Sequence, residues 1–285
     1  MTRILVTGVT GMFGGEVARQ LVAKRIPIRI LVRDPSKVPQ LDKSVEIFTG
    51  DFINTGALAA ALNGIEKLYL ASYDKPELIE HQANVLAVAK QCEVQHVVRL
   101  SSAGTEENNE LPDLYRHAVC ERQLEESGLG FTHLKPMWVM RNFESFVVND
   151  RIRLPAGEGR LGLVDHRDVA TVAVAALTTS GHEGKAYELA TESLSHSEVA
   201  DQLSEATGRS ITYENISPEA YEQQLLSDGY LKDDIDTLQG LLSDVRKGIN
   251  SDTNVTDTVK EVLGRPGITF KQFAQDYASS IGTSS

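Results

Sequence analysis

Sulfur is scarce in this chain: 285 residues carry two cysteines, Cys92 and Cys120. They form no Cys-x-x-Cys pair and no His/Cys ligand spacing. That argues against a disulfide or zinc framework and suits a reducing cytosol. Long apolar runs are missing as well; none approaches the roughly 20 residues that cross a bilayer. The opening residues lead straight into a strand-like run, without the charged, apolar and small-residue segments of a signal peptide. Positive charge is in deficit, with 28 Lys and Arg against 40 Asp and Glu and a net charge of -12. Such a surface repels a phosphate backbone and speaks against nucleic acid as a partner. There is no Ser/His/Asp hydrolase signature and no cluster of metal ligands. These absences lead to the expectation of a soluble, cytoplasmic protein without a membrane or nucleic-acid partner, and they leave its assembly, monomer or homodimer, open.

What is present is a folded composition, 41% hydrophobic and 24% charged, which can bury a full core. Short apolar runs alternate with amphipathic stretches through the first half. The runs are Ile4-Leu5-Val6, Ile28 to Val32, Val45 to Phe48, Lys67 to Ala71, Val97 to Leu100 and Phe131 to Leu134. Helical periods lie between them. This alternation predicts an α/β fold, a doubly wound parallel sheet of the Rossmann kind. Beyond it the pattern loosens into polar, helix-forming segments. Ser195 with Glu198 reads as a capping box, and Ser217-Pro218 as a helix start. Asp165 with Asp168 gives a similar helix-start signal around His166. The expected organisation is a dinucleotide-binding core over 1–150, with return elements at about 164–190. A smaller, mainly helical C-terminal lobe on the substrate side covers 191–285.

The sharpest motif is Thr7-Gly8-Val9-Thr10-Gly11-Met12-Phe13-Gly14, placed directly after a strand and before a helix. Gly8 allows the tight turn, Gly11 lets backbone approach a pyrophosphate, and Gly14 lets helix and strand pack closely. The helix N-terminus offers unpaired N–H groups to the phosphates. Gly8, Thr10, Gly11, Met12, Phe13 and Gly14 are therefore the expected cofactor contacts. The second strand ends in Val32-Arg33-Asp34. An acid here would bind the ribose 2′-OH of NAD, whereas an arginine pairs with the 2′-phosphate of NADP. Arg33, with Lys37 one turn on, favours NADP(H) over NAD(H); Asp34 is read as capping the turn before Pro35-Ser36. Asp51 and Phe52 after the third strand are candidates for the adenine side, or for an ordinary strand-to-helix turn.

The glycine turn, Leu31-Val32-Arg33-Asp34, Gly50-Asp51, Leu100-Ser101-Ser102-Ala103-Gly104, Glu125-Glu126-Ser127-Gly128, Leu134-Lys135-Pro136 and Asp165 to Ala170 together resemble the NmrA-like, atypical branch of the short-chain dehydrogenase/reductase superfamily. Within that branch the chain is most similar to NADPH-dependent triphenylmethane-dye and quinone reductases, proteins often labelled sugar-nucleotide epimerases by analogy. The resemblance implies an NADPH-dependent oxidoreductase acting on a quinone, dye or similar electrophile, and it supports Arg33 as an NADP ligand. It also permits a non-catalytic NADP(H) sensor that binds a protein partner. The chain departs from the superfamily pattern at its Tyr-x-x-x-Lys dyad, in which lysine lowers the tyrosine pKa for proton transfer. Here the segment reads Tyr115-Arg116-His117-Ala118-Val119, with valine in the lysine position. His117 and Glu121 match positions that many NmrA-like proteins keep. Without the proton carrier, sugar epimerisation ranks low, while hydride transfer to a strong electrophile demands less.

Ligands of a doubly wound sheet sit outside the carboxyl ends of its strands. Ser72 and Tyr73 follow the fourth strand, Ser101 and Ser102 the fifth, and Lys135 and Pro136 the sixth. Ser72, Ser101, Lys135 and Pro136 are expected beside the cofactor. Ser102, Tyr73 and His117 are the catalytic candidates: Ser102 to bind a substrate oxygen, Tyr73 as a replacement proton donor or stacking platform, and His117 to donate a proton. One of the two serines is also expected to serve its own turn. His117 reads equally as a helix-surface residue. Met137, Trp138, Met140 and Phe143 are candidates for an acceptor pocket or, equally, for core packing.

Overall fold

The computed structural model describes residues 3–72, 76–106, 109–249 and 255–282. In chain order, β1 (Ile4–Thr7), α1 (Met12–Ala23), β2 (Ile28–Val32), β3 (Glu46–Thr49), α2 (Thr55–Leu62), β4 (Lys67–Leu70), α3 (Leu78–Gln91), β5 (His96–Leu100), α4 (Pro112–Glu126) and β6 (Gly130–Pro136) come first. They are followed by β7 (Trp138–Val139), α5 (Phe143–Phe146), β8 (Val147–Val148), β9 (Arg151–Leu154), β10 (Arg160–Val164), α6 (His166–Thr178) and β11 (Lys185–Leu189). The last elements are β12 (Glu192–Ser195), α7 (His196–Thr207), β13 (Thr212–Asn215), α8 (Pro218–Ser227), α9 (Lys232–Lys247), α10 (Thr258–Leu263) and α11 (Phe270–Asp276). The chain divides into two compact units. The first contains residues 1–108, 114–135 and 166–188; the second contains 109–113, 136–165 and 189–285.

The first unit is built on a seven-stranded sheet of order β11-β6-β5-β4-β1-β2-β3. β1 pairs in parallel with β2 and β4, β2 with β3, β4 with β5, and β5 with β6. Every residue of β1 and β2 is buried, as expected for central strands covered by helices on both faces. At the edge, β3 is mostly exposed. Strand order reverses between β1 and β4, which makes the carboxyl ends of these two strands the topological switch point. Thr7 fixes that junction: its hydroxyl bonds the carbonyls of Tyr69 and Ala71, at 3.1 and 2.9 Å, and takes the Ala71 N–H at 2.9 Å. The expected doubly wound sheet is observed: the six apolar runs supply β1 to β6, and β11 adds a seventh strand beside β6.

The second unit adds to its helices two three-stranded sheets, β12-β10-β7 and β13-β9-β8. Its core contains Phe143, Ile152, Leu163, Phe270 and Phe273. Ser195 caps α7 with the reciprocal bonds of a capping box to Glu198, and Ser217 caps α8 with Pro218 in its first turn, both as the sequence indicates. His196 lies buried in this core, stacked on Tyr213 at 5.1 Å, and burial pushes its imidazole down to about 4.

Candidate functional site

The three glycines of the turn meet three different constraints. Gly8 has φ +68°, a left-handed conformation, and a Cβ there would come within 3.1 Å of the Ala71 carbonyl oxygen. At Gly14 a Cβ would sit 2.4 Å from the Gly8 carbonyl oxygen, so the close fit of α1 on the end of β1 requires glycine. Gly11 has ordinary extended angles, φ -98° and ψ 172°, and a Cβ there would meet only the Gly8 oxygen, at 3.4 Å. Neither backbone conformation nor protein packing demands glycine at position 11. Gly11 is the N-cap of α1, yet no side chain caps the helix, and its first turn carries no acid. The N–H groups there and the positive end of the helix dipole face solvent chemistry suited to an anion. Thr10 and Gly11 are exposed, and Met12 and Phe13 are half-buried.

At the end of β2, the Asp34 carboxylate accepts the Ser36 hydroxyl at 2.6 Å and the Ser36 N–H at 3.0 Å. These bonds, with Lys37 nearby, hold its carboxyl below the usual range. Asp34 therefore serves its own turn, as expected. Arg33 and Lys37 are exposed, and Arg33 has no hydrogen bond or ion pair among the described residues. The Asp51 carboxylate accepts the N–H groups of Ile53 and Asn54, at 3.2 and 2.9 Å, and Phe52 packs against the core of this unit. Asp51 thus braces the strand-to-helix turn, and packing holds Phe52 beside it.

A polar cluster lies where α4 covers β5 and β6. His117, Glu121 and Glu125, spaced by four, fall on one helical face. Glu121 is the hub. One of its oxygens accepts the Ser101 hydroxyl in a very short bond and the Thr105 hydroxyl at 3.0 Å, and the other takes Lys135 Nζ at 3.2 Å. Glu125 Oε1 lies 3.3 Å from His133 Nε2. Burial, reinforced by the nearby Arg99 and Lys135 cations, pushes His133 down to about 4, so that contact is not an ion pair at neutral pH. Arg99, paired with His133 across β5 and β6 and fully buried, donates to Gln82 Oε1 at 2.6 Å and to His117 Nδ1 at 2.9 Å. Gln82 in turn donates to the Ser72 hydroxyl at 2.9 Å.

Ser72, Ser101, Lys135 and His117 thus gather at the carboxyl ends of β4, β5 and β6, as expected, each already bonded within the protein. His117 is half-buried against Arg99 and is not a helix-surface residue. Ser101 serves Glu121, whereas Ser102 is half-buried and makes no side-chain hydrogen bond among the described residues. Pro136 is buried at the end of β6. Tyr115 is 44% exposed and Val119 is 8% exposed, so the two positions that carry the dyad elsewhere hold an outward tyrosine and a buried valine here. Tyr73 lies outside the described residues. Met140 and Phe143 are fully buried in the core of the second unit and Trp138 packs against it, which assigns these three to packing. Arg99 and Gln82 were not anticipated. Arg99 sits inside an apolar run that reads as a plain buried strand, and nothing local announces its partners.

A parallel sheet with a glycine turn at its switch point, an uncapped helix end and, after β2, an arginine without a partner among the described residues define a dinucleotide-binding protein of the Rossmann kind. The chain belongs to the NmrA-like family, whose pattern matches residues 1–262. It is 33% identical to an NAD(P)H azoreductase from Xenophilus azovorans over 98% of this chain and 99% of that protein. It is also 33% identical to a (4-alkanoyl-5-oxo-2,5-dihydrofuran-3-yl)methyl phosphate reductase from Streptomyces griseus, again over 98% and 99%. Among solved structures it is similar to the NADPH-dependent quinone oxidoreductase QOR2 of Escherichia coli complexed with NADPH, with a TM-score of 0.84 and 27% identity over 96% of this chain and 99% of that one. The chain takes its place with the NAD(P)H-dependent oxidoreductases of this family.

Proposed function

We propose that this protein is an NADPH-dependent reductase that passes a hydride to a quinone, an azo or cationic dye, or a related electrophilic small molecule. The observation that carries the reading is the pairing of an open phosphate turn with an uncommitted cation: a Cβ at Gly11 would meet only the Gly8 oxygen, at 3.4 Å, and Arg33 stands exposed without a partner among the described residues. Gly8, Thr10, Gly11, Met12, Phe13 and Gly14 would cradle the pyrophosphate through backbone N–H groups. Arg33, with Lys37, would hold the 2′-phosphate in a charge-assisted pair. Asp51 and Phe52 would border the adenine, and Ser72, Ser101, Lys135 and Pro136 the nicotinamide side. The bound cofactor supplies the hydride; the protein supplies position and electrostatics.

The face of α4 toward β5 and β6 supports an electrophilic acceptor over an alcohol or sugar. It offers His117 and Glu121, and the positions of the missing dyad are an outward tyrosine and a buried valine. Ser102 is the candidate to bind an acceptor oxygen, since Ser101 is committed to Glu121. Tyr73 keeps its candidacy on sequence position alone. The test is NADPH consumption by purified protein against a panel of quinones, azo dyes and cationic dyes, with NADH in parallel. Turnover that prefers NADPH is the expected result. Tight NADPH binding with no turnover on any acceptor would sink the reductase reading and favour a cofactor sensor.

A further inference from the structure

A cavity of about 790 Å³ is built wholly from residues of the second unit, and none of the cofactor candidates lines it. In β9 the side chains alternate, so Ile152 is buried in the core while Arg151 and Arg153 share the exposed face. β13 pairs in parallel with β9 and sets Glu214 opposite Arg153. From α8 come Tyr221 and Leu225, four residues apart and therefore on one helical face. Phe146, held edge-on against the buried Phe143 at 5.6 Å, and Tyr230 bring two more rings. A volume of this size takes a small organic molecule, and apolar walls with a few placed polar groups are what such molecules need.

The polar groups of the cavity are unevenly matched. Arg153 Nε donates to Glu214 Oε2 at 3.1 Å, and Arg151 Nη1 stands 3.9 Å from the same oxygen, too far for a hydrogen bond. One carboxylate between two guanidiniums leaves positive charge on the β9 side. Tyr221 is only 3% exposed, yet its hydroxyl has no hydrogen-bond partner among the described residues. A buried hydroxyl left without a partner costs stability, so one kept in a cavity wall calls for a bond from whatever enters. Burial, with Tyr230 and Asp228 nearby, pushes this hydroxyl up to about 12, so it holds its proton at neutral pH and can donate. Asp228, the C-cap of α8, is the acid on the helix side and turns the anionic end of a ligand toward β9.

We infer that this cavity binds a small aromatic anion, with its carboxylate or sulfonate on Arg151, its rings against Phe146, Leu225 and Tyr230, and a polar atom of its body bonded to Tyr221. The planar guanidinium matches the paired oxygens of such a group, and rings gain from aromatic walls beyond the area they bury. All the residues used belong to the second unit, so the inference stands apart from the reductase reading.

The probe is 8-anilinonaphthalene-1-sulfonate, whose fluorescence rises when it leaves water, titrated into the purified protein without NADPH. One saturable site is expected. Arg151→Gln should weaken binding about 10-fold, the loss of one charge-assisted pair at an exposed edge. Tyr221→Phe keeps the ring and should weaken it about 3-fold, the loss of one neutral hydrogen bond. The urea midpoint of Arg151→Gln should equal that of the wild type, and that of Tyr221→Phe should equal or exceed it, because the hydroxyl has no protein partner to lose. In competition, 2-naphthoate should displace the dye at least about tenfold better than 2-naphthol, which carries the same rings without the charge. Absence of a saturable site overturns the inference. So does binding that neither Arg151→Gln nor Tyr221→Phe changes, or equal displacement by the two naphthalenes. A Tyr221→Phe protein that is less stable than the wild type shows the hydroxyl committed to the fold and overturns its part in the site.

Discussion

Lys135 Nζ rests 3.2 Å from Glu121 Oε2, and both side chains are almost enclosed, at 13% and 12% exposure. The same carboxylate accepts Ser101 and Thr105 on its other oxygen, so a single residue of α4 ties together the ends of β5 and β6. Removing one partner of a largely buried pair strands the other, and such losses run to about 3–5 kcal/mol. Glu121→Ala is therefore expected to cost about 2–4 kcal/mol in urea unfolding, at the low side of that range because neither group is fully buried. Glu121→Gln should retain the hydroxyl bonds and lose about half as much. Equal stability of wild type and Glu121→Ala would show that the hub does not hold these strands.

Gly11 and Gly14 separate binding from folding. A methyl at Gly14 would press to 2.4 Å from a backbone carbonyl that cannot swing aside, whereas at Gly11 the nearest atom is at 3.4 Å. Gly14→Ala should lower the melting temperature by several degrees, in line with overpacking costs of about 1–3 kcal/mol. Gly11→Ala should melt within about 0.5 kcal/mol of the wild type and weaken NADPH binding at least tenfold, because the added methyl takes space meant for the pyrophosphate. A Gly11→Ala protein that binds NADPH normally would remove the turn from the cofactor site.

How much of this was legible in the sequence follows from how local each signal is. β1 to β6 announced themselves because central parallel strands are continuous apolar runs and the crossover helices have their own period. The glycine turn and the Ser195 capping box are contacts between residues within a few positions of each other. The two small sheets of the second unit were not legible. β7 and β8 are two residues each, β10 draws its partners from β7 and β12, and β9 pairs in parallel with β13, some sixty residues on. Pairings at that distance leave no local pattern. The same holds for the site. His117 and Glu121 could be placed by family position, but their partners Arg99, Ser101 and Lys135 come from two other strands and emerge only when the sheet is assembled.

Arg33 offers a test of cofactor choice that leaves the fold aside. It is exposed and has no partner among the described residues, so Arg33→Ala should not change stability by more than about 0.5 kcal/mol. A charge-assisted bond to the 2′-phosphate contributes about 1.5–3 kcal/mol, which corresponds to a loss of about 10- to 150-fold in NADPH affinity. NADH lacks that phosphate and should bind the variant as it binds the wild type. Fluorescence titration of both nucleotides measures this. A parallel fall in NADH affinity would mean that Arg33 does something other than read the phosphate.

Acid should unfold this protein in a window set by its histidines. Burial pushes His133 and His196 down to about 4, and it lowers His96 and His182 in the same direction. Each is neutral in the folded chain and becomes charged in the unfolded chain below about pH 6.5, so unfolding takes up protons. Their contribution is complete above about pH 6.5 and is lost as the pH falls toward 4, at an upper bound of roughly 3 kcal/mol for each of the two strongly shifted groups. Glu125, raised chiefly by burial, works the other way only at lower pH. The urea midpoint should hold between pH 8 and 7 and fall steadily from 6.5 to 5. His196 isolates the effect. Its ring lies between Tyr213 and Phe143, at 5.1 and 6.0 Å, and neither ring nitrogen has a hydrogen-bond partner among the described residues. Two unmet polar atoms in an apolar core cost stability that a carbon ring would not. His196→Phe is therefore expected to match or exceed the wild type at pH 7 and to lose a visible part of the acid slope. An unchanged slope in His196→Phe would remove this residue from the account and leave the acid sensitivity to His133 and the pair on β5 and after α6.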